Sequence, residues 1–278
     1  LHWVFIAIFF SFGFVQLFKG SQRRGEYAPV VVSSNYIALS SSLALYLFLN
    51  DQWTFSPDIF KVGICIGITF ITSMLIMTYA LTVAGVAPVM TSFRLSMLVP
   101  VALSVWIWAE PITVLQLMGI TLAIVALALM THNKSSHHPL RGSKAFAIIL
   151  VIFIIQGIGM TCMRWVHYAG LDPYRLNVLM IIGATAGTLG WIFVILRRQT
   201  FRAKDVYVGM GIGLYNTLAL SIVLTALSVV PGTVYFPIVG CSVVLLDNLS
   251  AHFFWKEYLT RPAIAGVGLA VIAITLVM

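Results

Sequence analysis

The chain has 278 residues, of which 60% are hydrophobic and only 9% charged, with a mean hydropathy of +1.02. Soluble domains carry about 25% charged residues, so 16 Lys/Arg and 8 Asp/Glu cannot coat a globule of this length. A soluble enzyme, a disordered chain and a nucleic-acid-binding domain are excluded, and an all-α polytopic protein with the lipid bilayer as its partner is expected.

A bilayer core about 30 Å thick takes ~20 apolar residues per helix. Cutting the chain at Gly, Pro and charge clusters predicts ten spans, at 2–18, 28–49, 59–83, 86–108, 112–131, 145–165, 174–196, 206–229, 232–255 and 259–278. Only Ala84-Gly85 separates spans three and four, and only Val230-Pro231 separates eight and nine. Both breakers argue for two helices at each place. No signal-peptide pattern precedes the first span. The one long connection, 132–144, contains His137-His138-Pro139. Adjacent histidines cannot easily share a metal and no Cys or carboxylate lies near in sequence, so this segment reads as a solvated linker. Cys65, Cys162 and Cys241 all fall inside apolar runs, as expected of free thiols packing as small hydrophobes.

The linker divides the chain almost equally, into 1–131 and 145–278. Span four ends in Trp108-Ala109-Glu110 and span nine in Trp255-Lys256-Glu257, 147 residues later. At the same offset Gly119 meets Gly266, Ala123 meets Ala270 and Ala126 meets Ala273. The expectation is two five-helix repeats, the second inverted because five is odd. Loop charges agree. Loops after the odd-numbered spans hold Lys19, Arg23, Arg24, Lys134, Arg141, Lys144, Arg197, Arg198, Arg202, Lys204, Lys256 and Arg261; the opposite side has Lys61, Arg164 and Arg175. By the positive-inside rule the odd loops and the linker are cytoplasmic and both termini are not.

Ten helices in inverted five-helix repeats, with a Gly/Pro break between spans three and four and Trp-x-Glu closing spans four and nine, resemble the drug/metabolite transporter superfamily, in particular its EamA-like members. The resemblance covers essentially the whole chain. It implies a solute carrier of a bacterial inner membrane, with a central cavity lined mainly by spans three, four, eight and nine. The last helix of each repeat would serve packing or dimer contacts, leaving a homodimer open. Many members carry an Arg early in span two, where this chain has Asn35-Tyr36.

An ionised side chain at mid-bilayer is costly unless paired or hydrated. Arg94, in span four, could hold a carboxylate or phosphate through a bidentate fork. Asp247, midway along span nine, could carry a coupling proton or bind a substrate amine. Alternatively the two pair with each other across the bundle. Tyr79, Tyr215, Asn216 and Tyr235 could face the same cavity, and Asn248 and His252 could share a helix face as an i, i+4 pair. Asn35, Gln156 and Asn177 are further polar groups of the same kind, each more often a satisfied interhelical hydrogen bond than a ligand. Glu110 and Glu257, at helix ends, suit packing or gating more than substrate binding.

No phosphate loop, His-Glu-x-x-His, Gly-x-Ser-x-Gly or paired intramembrane aspartates occur in the sequence. Catalysis, a metal and a cofactor are therefore not expected. The function expected is secondary transport of a small polar or amphipathic metabolite by alternating access, with proton coupling open. The alternatives are a non-transporting membrane scaffold or receptor, and a nucleotide-sugar carrier of an internal membrane.

Overall fold

The computed structural model describes residues 2–83, 86–131, 143–198, 200–253 and 261–277. Most of the 132–144 linker, with His137-His138, and the whole Trp255-Lys256-Glu257 anchor lie outside the described residues. Among the described residues there is no strand. The helices are α1 (His2–Arg23), α2 (Ala28–Leu49), α3 (Pro57–Val83), α4 (Val86–Leu95), α5 (Leu98–Trp108), α6 (Val114–Thr131), α7 (Ser143–Tyr168), α8 (Arg175–Leu196), α9 (Ala203–Val229), α10 (Gly232–Phe253) and α11 (Arg261–Val277), with a 3-10 turn at Asp172–Tyr174. Seven of them (α1, α2, α3, α7, α8, α9 and α10) are long and apolar enough to cross a membrane.

Two predicted boundaries move outward. The first helix runs on past residue 18 to Arg23, because nothing interrupts it before Gly25. There Gly25 takes φ +71°, and the bonds Gly25 N–H to Gln22 O and Glu26 N–H to Ser21 O form a Schellman closure. The sixth span continues to Tyr168 and closes the same way: Gly170 has φ +69°, and Leu171 N–H reaches Val166 O.

Span four is corrected more deeply. Its predicted range is filled by two helices of 10 and 11 residues, α4 and α5, with a break at Ser96-Met97. Pro100 supplies the cause. It has no N–H for the carbonyl of Ser96, and its ring crowds that carbonyl. Ser96 O instead accepts the N–H of Val99, one residue early, at 3.1 Å. The Ser96 hydroxyl donates back to Phe93 O at 2.6 Å, a further competitor for the ladder. At 1.5 Å per residue neither piece alone spans the roughly 30 Å hydrocarbon layer.

The chain forms two compact units, each drawing on both halves of the sequence. Unit 1 contains residues 1–12, 79–161 and 229–278; unit 2 contains 13–78 and 162–228.

In unit 2, α2 packs along α8. Close approach is possible because α8 presents Gly183, Gly187 and Gly190 to it. A Cβ on Gly183 would stand 2.7 Å from Leu39 Cδ2 and 2.9 Å from Tyr36 O. Gly63 and Gly67 of α3 meet α8 at Ile181 and Thr185 in the same manner. Without a hydrophobic driving force between helices in lipid, such backbone approach and interhelical hydrogen bonds supply the association. The Ser40 hydroxyl gives one such bond, to Met180 O at 3.0 Å. In unit 1, α6 packs along α11 with Gly119 set against Ala273 and Val277, and α10 touches α5, α6 and α11.

Candidate functional site

The site begins at the break in unit 1. Arg94 occupies the last turn of α4, where the partial negative charge of the helix end favours a cation. Its guanidinium lies over the Phe93 ring, 5.8 Å from the centroid, and the residue is half-buried. The Ser92 hydroxyl, two residues earlier, bonds to Ile149 O of α7 at 2.7 Å and anchors α4.

Helix α10 runs past this break. Its Gly232 faces the Ser104 hydroxyl, and Gly240, eight residues on, faces Met97 Sδ. The first contact is with the end of α5 and the second with its beginning, so α10 and α5 are antiparallel. Gly240 and Asp247 are seven residues apart, which puts them two turns from each other on one helix face. Asp247 is buried and lies in the same unit as Arg94. The two formal charges singled out from the sequence thus belong to one unit.

The other expected residues divide between the units. Tyr235 is buried on α10 with its ring edge against Phe236 at 5.4 Å. Asn248 is buried too, but its amide turns back to Val244 O at 2.9 Å. The side chain of His252 lies outside the described residues. Tyr79 is 60% exposed on α3. Tyr215 and Asn216 are on α9 in unit 2, where the Tyr215 hydroxyl fills the space left by the missing side chain of Gly13. Asn216 is buried there.

Asn177 ties a loop down. It accepts the N–H of Thr54 at 3.1 Å and donates to Gln52 O at 3.3 Å. Glu110 is a helix cap: its Oε2 accepts the N–H of Thr233 at 3.0 Å, at the buried start of α10. The carboxylate faces the positive end of that helix.

Among the described residues, three buried charged residues were not anticipated. Arg164, counted from the sequence among loop cations, is 4% exposed; it donates to Leu227 O and to the Tyr168 hydroxyl, and lies 4.9 Å over the Tyr168 ring. The i, i+4 spacing of Arg164 and Tyr168 was the available signal. Glu26 is buried and ion-paired to Lys204 at 3.4 Å. Asp205 is buried and accepts the N–H of Arg202 at 2.9 Å, capping α9. Among the described residues no group of three or more His, Cys, Asp or Glu side chains converges on a metal-sized site.

No family model matches the chain, and no curated protein does. Against solved structures, 28 chains match. One is a crystal structure described only as that of a protein, with a TM-score of 0.81 over 99% of this chain and 94% of its own, at 11% identity. At that identity the likeness is one of fold. Fold and composition together define an all-α, multi-pass membrane protein.

Proposed function

We propose that this protein is a secondary transporter that moves a small polar or amphipathic metabolite by alternating access. The observation that carries the reading is the placing of Arg94 and the buried Asp247 in one unit of an apolar bundle, beside a helix broken at Ser96-Met97. Charged groups at membrane depth mark substrate or ion pathways. Discontinuous helices are where transporters expose backbone groups to a substrate. Arg94 would take an anionic group of the substrate, and Asp247 an amine or the coupling proton. A scaffold has no need of either charge.

The reading of two inverted five-helix repeats, and with it an EamA-like drug/metabolite transporter of a bacterial inner membrane, has support from backbone geometry. Gly25 and Gly170 close α1 and α7 at positive φ, and Asp51 and Arg198 close α2 and α8. These pairs are 145 and 147 residues apart, the second equal to the Trp-x-Glu spacing and the first two residues short of it. The helix pairs α2/α8 and α6/α11 are the second and fifth of each half, each packed against its counterpart. The loop charges support non-cytoplasmic termini.

Uptake or counterflow in proteoliposomes, over amino acids, nucleosides, sugars, nucleotide sugars and amines, tests the proposal. Flux of one class is expected, reduced by Arg94→Lys, which keeps the charge and loses the fork. If Asp247 carries the proton, Asp247→Asn abolishes dependence on the pH gradient and spares substrate exchange. Absence of flux across the panel favours the scaffold. Full transport in an Arg94→Leu, Asp247→Leu double variant removes both residues from the site.

A further inference from the structure

Two of the three cysteines meet. Cys65 of α3 and Cys162 of α7 bring their sulfurs to 3.7 Å, in van der Waals contact, and both are free thiols. Both belong to unit 2, and Cys162 is the residue at which α7 enters that unit. Their surroundings differ: Cys65 is half-buried between the exposed Ile64 and Ile68, whereas Cys162 is 8% exposed. Cys241 is in unit 1, where its thiol points to Ala123 O at 3.9 Å.

Each member of the pair also lies near one end of its helix. Cys65 is eight residues into α3 and Cys162 six residues from the end of α7, or roughly 9–12 Å of helix in each case. A small uncharged oxidant reaches such a depth where a charged one does not. A disulfide needs its sulfurs near 2.05 Å. Closing the remaining gap, about 1.6 Å, requires side-chain rotation and a small adjustment of the helices, not a new fold.

We propose that Cys65 and Cys162 are a redox-modification site, converted by a peroxide into an intramolecular disulfide that ties α3 to α7. The more exposed Cys65 thiolate attacks the peroxide oxygen, breaking the O–O bond and leaving a sulfenic acid and hydroxide. The Cys162 thiol, giving up its proton as it reacts, then attacks the Cys65 sulfur and displaces the sulfenic oxygen as a second hydroxide. The two protons released by the thiols turn both hydroxides into water. Two electrons pass from the sulfurs to hydrogen peroxide, and a dithiol reductant returns them. The link closes 97 residues of chain, which restricts the unfolded ensemble and raises resistance to heat.

The test treats the purified full-length protein with hydrogen peroxide, denatures it, and alkylates the remaining thiols. The three titratable thiols should fall to one, alkylated at Cys241, with a cross-linked peptide pair containing residues 65 and 162. The protein should stay monomeric on a non-reducing gel, and its Tm should rise and then return with dithiothreitol. Cys241→Ser should leave all of this intact, whereas Cys65→Ala should abolish the link and the Tm shift. Peptide mapping of the wild-type protein decides the matter even where a variant folds poorly. Three thiols persisting under peroxide, sulfinic acid at either residue in place of the link, or a disulfide-bonded dimer would each overturn the proposal.

Discussion

Replacing Glu110 separates a structural cap from a gate. Its Oε2 accepts the Thr233 N–H at 3.0 Å, the residue is 5% exposed, and α10 is 22 residues long. A hydrogen bond to a charged group is worth about 1.5–3 kcal/mol. A carboxylate at a helix N-terminus adds about 0.3–1 kcal/mol. Glu110→Ala should therefore lower unfolding free energy by roughly 2–4 kcal/mol, since the Thr233 N–H then has no acceptor and little access to water. Glu110→Gln keeps an acceptor oxygen and loses the charge, so its cost should be about 1 kcal/mol. Denaturant titration of the purified protein in one detergent measures both, with helix content by circular dichroism as the signal. Pure gating predicts another pattern: stability unchanged in both variants while flux changes. An Ala variant within about 0.5 kcal/mol of the parent, inside the usual range for surface substitutions, would refute the capping argument.

Glycine replacements test the close helix approaches. Gly183→Ala should destabilise by about 1–3 kcal/mol, because its Cβ would come within 2.9 Å of the Tyr36 carbonyl, whereas Gly268→Ala, with nothing within 4 Å, should be neutral or slightly stabilising. Asn177→Ala should cost about 1–2 kcal/mol, and hydrogen exchange at Thr54 should quicken, since that amide loses its acceptor. Pro100→Ala restores an N–H to the broken stretch, so it should raise thermal stability and lower transport; an unchanged Tm would show that the break is held by packing and not by proline.

The long helices were legible because their apolar runs end at strong punctuation. Gly25 and Gly170 stop α1 and α7 by taking positive φ, and Pro57 and the Asp172–Tyr174 turn open the segments that follow. The break in span four was hidden by the same reasoning. Met97 to Trp108 is apolar enough to pass as continuous, and Pro100 three residues into a helix signals a start only once a break before it is considered. Buried charges were hidden for a different reason. Arg164 and Lys204 are both cations near helix ends, yet Arg164 is buried against Leu227 O and Tyr168 while Lys204 is 60% exposed beside the buried Glu26. Which cation is covered depends on a helix distant in sequence, and no local pattern encodes it. Asn248 makes the same point: spacing offers His252 as a partner, but a buried amide can bond to its own helix four residues back.

The Arg94–Asp247 pair and the break beside it are best understood together. A half-buried cation needs compensation, and Arg94 has three sources of opposite sign within one unit: the C-terminal end of α4, the Phe93 ring and the buried Asp247. An unbroken helix through 86–108 would remove the first, because the negative end of the helix dipole would move from Arg94 to Trp108. Pro100, by ending α4 at this point, therefore helps to hold the charge. Compensation shared among three weak partners is also easier to exchange for a ligand than one tight ion pair. On the transport proposal, an anionic group of the substrate would take over part of this compensation at Arg94, leaving Asp247 to a proton or an amine. A lone buried ion pair in a continuous helix would have to give up its only compensation to bind the same ligand.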